Sequence, residues 1–132
     1  TDPDSVGEGQ GWFGQAPDDS WKPISIHDVW ENQGYDRYDG HAWYTVEVDV
    51  PQIAEPVVWL LFGGVDETFD LWINGEPAGK REGDPVAIWD KPVAIDITGK
   101  FKPGEKNRIT LLVHDSGYAG GIWKPVWITA SE

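Results

Sequence analysis

Phe69, Leu71 and Ile73 are apolar residues spaced two apart, and the pair Asn74-Gly75 follows them directly. No other short pattern in the chain restricts its fold as tightly. Alternation with period two reads as a half-buried strand, and Asn-Gly suits a type I′ reversal because both central residues of that turn need positive φ. A strand that doubles back at residue 74 commits its surroundings to an antiparallel sheet. Upstream, Tyr44, Val46, Val48 and Val50 alternate with Trp43, Thr45, Glu47 and Asp49 in the same period. Val57 to Phe62 is apolar on both phases, so a central strand covered on both faces is expected there. Further strands are expected at 76–81, 93–97, 108–113 and 126–129. No stretch sustains a helical period, and 16 glycines and 10 prolines punctuate the chain at short intervals. The expected fold is all-β, an antiparallel β-sandwich.

With 132 residues the chain is expected to be one domain, residues 1–132, large enough to bury a core without staples. It has no cysteine with which to form one. Residues 1–22 are rich in Gly, Asp and Pro and carry no basic residue before Lys22. They read as an arm, and residues 1–30 are expected to pack on the sandwich, with Ile24, Ile26, Val29 and Trp30 forming a short strand or turn over its mouth. A formal net charge of −13 repels phosphate and anionic lipid, so neither nucleic acid nor a membrane is an expected partner. No apolar run is long enough to span a bilayer. Because the chain starts at Thr1, it reads as a mature product or a piece of something longer, and it is expected to be a monomer.

Hairpin parity decides which loops share an end. If 42–50 leaves one end, 57–62 returns to it and each later strand alternates. Segments 34–41, 63–68, 83–92 and 115–125 then gather at one end, with 51–56, 74–75 and 99–107 at the other. The first end collects Tyr35, Tyr38, Trp89, Tyr118, Trp123 and most loop carboxylates. Loops on a rigid sandwich tolerate variation, so function is expected there.

Three phrases, FGGVDETFDLWING at 62–75, IDITGKFKPGEKNRITLLVHD at 95–115 and GGIWKPVWI at 120–128, follow AWYTVEVDVP at 42–51. Their order and spacing resemble the sugar-binding domain of glycoside hydrolase family 2 enzymes, over Tyr35 to Ile128. The resemblance implies a jelly roll of the galactose-binding-like type, a bacterial, secreted, extracellular or periplasmic location, and carbohydrate and the catalytic domain of a parent enzyme as partners. In that family GGIW followed by Lys-Pro leads into the last strand.

Nine tryptophans and four tyrosines exceed what a small core needs, and aromatic rings stack on the C–H faces of sugars. The expected ligand platform is Trp89, Tyr118 and Trp123, with Asp66 and Asp115 accepting hydrogen bonds from sugar hydroxyls. Arg37, Tyr38 and His41 are secondary candidates. The structural alternative has the two aspartates capping turns or pairing with Arg37 or Lys124. Trp43, Trp72 and Trp127 lie on the phase opposite the core residues of their strands. They form either a platform or a face covered by Trp12, Phe13, Trp21 and Trp30, and the covered face is the expected arrangement. His27, His41 and His114 lack zinc spacing, no serine has a G-x-S-x-G context, and surface carboxylates lack the burial that general-acid work needs. No cofactor is called for, although the acidic loops leave room for a structural calcium ion. The function expected is a non-catalytic carbohydrate-binding module of a polysaccharide-degrading enzyme. The alternative is a docking domain of a multidomain glycoside hydrolase with no sugar binding of its own.

Overall fold

The computed structural model describes residues 1–132. Seven strands, β1 Gly40–Asp49, β2 Val57–Val65, β3 Thr68–Ile73, β4 Glu76–Arg81, β5 Val93–Asp96, β6 Lys106–Asp115 and β7 Ile122–Ser131, form two antiparallel sheets. One sheet has the order β1-β6-β3-β4 and the other β5-β2-β7. The result is an all-β sandwich of four strands on three. A short helix α1, Pro85–Ile88, lies between β4 and β5, and 3-10 turns occupy Trp12–Gly14 and Trp30–Gln33.

Alternation sorts the residues between core and surface. Tyr44, Leu111, Val113, Phe69, Leu71 and Ile73 from the larger sheet meet Val58, Leu60, Phe62 and Ile122 from the smaller in one buried cluster. The rings of Phe62 and Phe69 touch across the layers at 4.8 Å between centroids. Each side chain so buried contributes about 1.5–3 kcal/mol relative to exposure.

The turn at Asn74-Gly75 has both residues at positive φ, 53° and 83°. Its register is held by side chains as well as backbone. Asn74 Oδ1 accepts from the Arg108 amide at 2.9 Å, and Asn74 Nδ2 donates to Oδ1 of the buried Asn107 at 2.8 Å. A Cβ on Gly75 would stand 3.3 Å from the Gly14 Cα, so Gly75→Val meets both a left-handed backbone and a close neighbour. The variant is expected to lose more than ~1 kcal/mol in chemical denaturation, and an unchanged midpoint would contradict this account of the turn.

The arm lies on the outer face of the larger sheet. Asp2 fastens it: its carboxylate accepts from the amides of Val6 and Gly7 and from Trp43 Nε1, all within 3.0 Å, while its own amide donates to His41 O. Trp12, Phe13 and Trp21 then cover Trp43, Trp72 and Leu112. Phe13 stacks on Trp72 with centroids 5.2 Å apart, and Trp12 meets Trp43 edge-on at 6.1 Å.

Four details differ from the sequence reading. Gly63 and Gly64 lie inside β2, and the reversal is at Asp66-Glu67, with Glu67 at φ 61°. Their missing side chains make room for β7, since a Cβ on Gly64 would crowd the Trp123 ring. Trp127 belongs to the other sheet from Trp43 and Trp72, and it is left exposed. β2 is covered on one face only, with Trp59 and Leu61 half-buried on the outside. Trp30 joins the main core from a 3-10 turn and takes no part in covering the outer face.

Candidate functional site

The strand registers bring four connections to one end. Gly40 pairs with Asp115, Thr68 with His114, Phe69 with Arg81, Phe62 with Val93 and Val65 with Ile122. The segments beside β1, between β2 and β3, between β4 and β5, and between β6 and β7 therefore share it.

Two aromatic residues stand out at this end. Trp89, which follows α1, is 47% exposed, and its ring stacks on Trp123 with centroids 5.7 Å apart and planes 22° from parallel. Trp123 Nε1 donates to Trp89 O at 3.3 Å, so the loop and β7 are joined by both ring and backbone. Asp84 caps α1 by accepting from the Val86 amide, and the buried Arg81 guanidinium donates to Val65 O and Ile88 O. Trp123 itself is a strand residue, half-buried, with the Lys124 ammonium 4.3 Å from its ring centroid. Tyr118 is 99% exposed on a backbone of positive φ, 78°.

The same end holds a set of enclosed carboxylates. Asp66 is 7% exposed and Asp115 1%. Asp115 Oδ1 accepts from the Gly117 amide at 2.9 Å, a turn cap, but Oδ2 has no partner. Glu67 holds Ser116 through the amide and the hydroxyl, at 2.8 and 2.7 Å. Glu31 Oε2 accepts from the Gly120 amide while Oε1 is left unpartnered, and the Tyr44 hydroxyl nearby has no well-formed hydrogen bond. Neither aspartate pairs with Arg37 or Lys124; Arg37 meets only Asp36, at 3.9 Å and in solvent. No three His, Asp or Glu side chains are grouped so as to hold a metal ion.

Burial pushes Asp115 up to about 7, assisted by the charges of Asp66, Glu67 and Asp39. Burial likewise pushes Asp66 up to about 6, with Glu67 and Glu31 adding to the effect. A carboxyl whose folded pKa exceeds its unfolded value binds its proton more tightly in the native state. Its contribution is fully present below the ordinary aspartate value of 3.8 and is lost as pH rises through about 7. His41, lowered first by burial and then by His114, acts in the opposite direction below the ordinary histidine value of 6.5. Asp115→Asn isolates one carboxyl. Asparagine keeps the acceptor for Gly117, so the variant should gain stability over the parent at pH 8, by about 2–3 kcal/mol more than at pH 5. Paired urea titrations at the two pH values measure this, and an equal gain at both would refute it.

The secondary candidates are structural in their contacts. Tyr38 donates its hydroxyl to His41 O at 2.5 Å and its ring tilts against Trp30. His41 is a β1 residue stacked on His114 at 4.5 Å, with Ser5 Oγ 2.9 Å from Nδ1, under the arm. Three contributors have no place in the sequence analysis: Glu31, Glu67 and Arg81, whereas Trp30 is in the turn expected over the mouth of the sandwich. Adjacent acids at 66 and 67, just before a strand, were the available signal for Glu67. Nothing local marks Glu31 or Arg81.

No protein-family model matches the chain. A β-glucuronidase of Paenibacillus borealis is 26% identical over 86% of this chain and 19% of its own length. A β-galactosidase of Priestia megaterium is 30% identical over 73% of this chain and 11% of its own. The chain thus spans a fifth or less of the curated relatives it matches. Among solved structures, the β-glucuronidase of Ruminococcus gnavus in complex with D-glucuronic acid superposes with a TM-score of 0.83 at 20% identity, over 97% of this chain and 27% of that one. That is a likeness of fold. The chain is a β-sandwich of 132 residues that matches part of family 2 β-glucuronidases and β-galactosidases, consistent with the sugar-binding domain of that glycoside hydrolase family.

Proposed function

We propose that this domain is a non-catalytic carbohydrate-binding module of a larger, exported polysaccharide-degrading enzyme, and that sugars stack on Trp89 and Tyr118 at the loop end. The observation that carries the reading is the Trp89 ring, half exposed yet held by Trp123 behind it. A ring already fixed in place loses little entropy when a sugar lies against it. Asp66 and Asp115 are too enclosed to meet the ligand and serve this surface by shaping the 115–121 loop, Asp115 by accepting from the Gly117 amide and Asp66 by donating its own amide to Gly121 O. A net charge of −13 and the carboxylates at this end disfavour uronates, so the ligand class is a neutral oligo- or polysaccharide.

Calorimetry of the domain against cello-, xylo- and galacto-oligosaccharides, with D-glucuronic acid beside them, is the test. A dissociation constant of roughly 10 µM to 1 mM is expected for a neutral sugar. Trp89→Ala should weaken binding about tenfold or more, by removal of a stacking surface worth roughly 1–3 kcal/mol by analogy with other aromatic platforms, with little change in melting temperature. No binding at millimolar sugar would sink the reading.

A second reading has its own observation. Trp59, Leu61 and Trp127 form an uncovered apolar strip on the outer face of the β5-β2-β7 sheet. It favours a docking role against the catalytic domain of the parent enzyme, with no sugar bound. Loss of binding in Trp127→Ala with Trp89→Ala unaffected would move the site to this face.

A further inference from the structure

The arm and the first half of β1 do not meet flush. Between them lies a pocket of about 680 Å³, within the roughly 300–1,000 Å³ of small-ligand sites. Three of its walls are indoles, those of Trp12, Trp21 and Trp43. The Trp12 plane stands 63° from each of the other two, with its centroid 6.4 Å from Trp21 and 6.1 Å from Trp43, so the rings make an aromatic corner rather than a stack. Trp43 is held from behind by the bond of its Nε1 to Asp2, and Trp12 by the bond of its amide to Gly7 O.

Polar groups stand around this corner, and each is already fixed. Trp12 Nε1 donates to Gln10 Oε1 at 3.1 Å, and Gln15 Nε2 donates to Gln10 O at 2.7 Å. Gln10 Nε2 and Gln15 Oε1 are thereby kept as a positioned donor and a positioned acceptor. In the next turn Asp18 Oδ1 accepts from the Ser20 hydroxyl at 2.5 Å and from its amide at 2.8 Å, bonds that hold the carboxyl below its usual value and leave Oδ2 to accept. All four of these residues line the pocket. Packing of the arm on Trp43 and Trp72 requires none of this polar order. A hydroxyl both donates and accepts, so donors and acceptors set beside aromatic faces suit a sugar. An anion finds no free cation, since Lys22, the one basic side chain on the pocket, donates to Asp19 O at 3.4 Å.

We propose that this pocket is a second carbohydrate site, which takes one neutral pyranose with its C–H face on Trp21 and its hydroxyls on Gln10, Gln15 and Asp18. β1 and β4 are the two edges of their sheet, so the pocket and the loop after β4 that carries Trp89 lie on opposite sides of the sandwich. The site goes beyond the Trp89 platform and does not rest on it.

The probes are the methyl β-pyranosides of glucose, galactose and xylose, titrated through the millimolar range and followed by the indole N–H resonances. The chain used carries Trp89→Ala, which removes the loop-end platform. At least one sugar should shift the Trp12 and Trp21 resonances to saturation while those of Trp59 and Trp127, on the other sheet, stay in place. Gln15→Ala combined with Asp18→Ala removes two acceptors at exposed positions. That variant should keep its melting temperature and raise the dissociation constant about tenfold. Resonances of Trp12 and Trp21 unmoved by all three sugars, or shifts that the double variant leaves unchanged, would overturn the proposal. So would tighter binding of tetramethylammonium than of any of the sugars, because the corner would then be a cage for a cation. Binding at the Trp89 platform is read separately, by calorimetry of the parent against Trp89→Ala, so either site can fail without the other.

Discussion

Trp30→Ala is expected to cost about 4 kcal/mol of stability, close to the upper end for a large-to-small change in a core. The side chain is 1% exposed and closes the loop end of the main cluster. Its indole Nε1 donates to Tyr38 O at 3.0 Å, its ring tilts against Tyr38, and its amide donates to Gly120 O. Gly120 is required for this fit, since a Cβ there would overlap the indole. Truncation therefore leaves a cavity, an unpaired carbonyl and a loosened 115–121 loop together. Trp30→Phe keeps most of the volume and loses the donor, so about half the effect is expected of it. Urea denaturation followed by far-ultraviolet circular dichroism measures both, and a loss below ~1 kcal/mol in the alanine variant would show that the site collapses or fills with water.

Trp72→Ala should lower stability by about 3 kcal/mol and release the arm. Trp72 lies between Phe13 and Trp43, at 5.2 and 5.3 Å between ring centroids, in a small cluster separate from the main core. Without it Phe13 has little to rest on, and limited proteolysis should cut faster between Gly14 and Trp21. Phe13→Ala combined with Trp72→Ala should cost less than the sum of the single changes, because each removes the other's contact. Sugar binding at the loop end should be unaffected. Binding lost in Trp72→Ala and retained in Trp89→Ala would place the ligand on the arm-covered face.

Alternation and turn chemistry were legible because they act between residues close in sequence. Phe69, Leu71 and Ile73 could be assigned to one face, and Asn74-Gly75 to a reversal, from steric preferences that any chain with those residues would share. Parity then ordered the loops correctly, since each hairpin reverses direction whatever lies around it. The errors fell where a side chain is governed by a distant partner. The Gly63-Gly64 pair looks like a corner, but those positions are empty because Trp123 and Lys124 of β7 need the space. Trp127 shares its phase pattern with Trp43 and Trp72, and only the distribution of strands between sheets separates them.

The sequence by itself determined the strands, their antiparallel turns, the acidity and the absence of zinc spacing or a G-x-S-x-G motif, all of which depend on local periodicity or on composition. Tertiary structure alone decided that Asp66 and Asp115 are enclosed, that Trp89 rests on Trp123, that Trp30 is a core residue, and that a pocket lies between the arm and β1. Each of these is set by contacts between segments tens of residues apart, where burial and the proximity of like charges arise only after the two sheets have closed on one another.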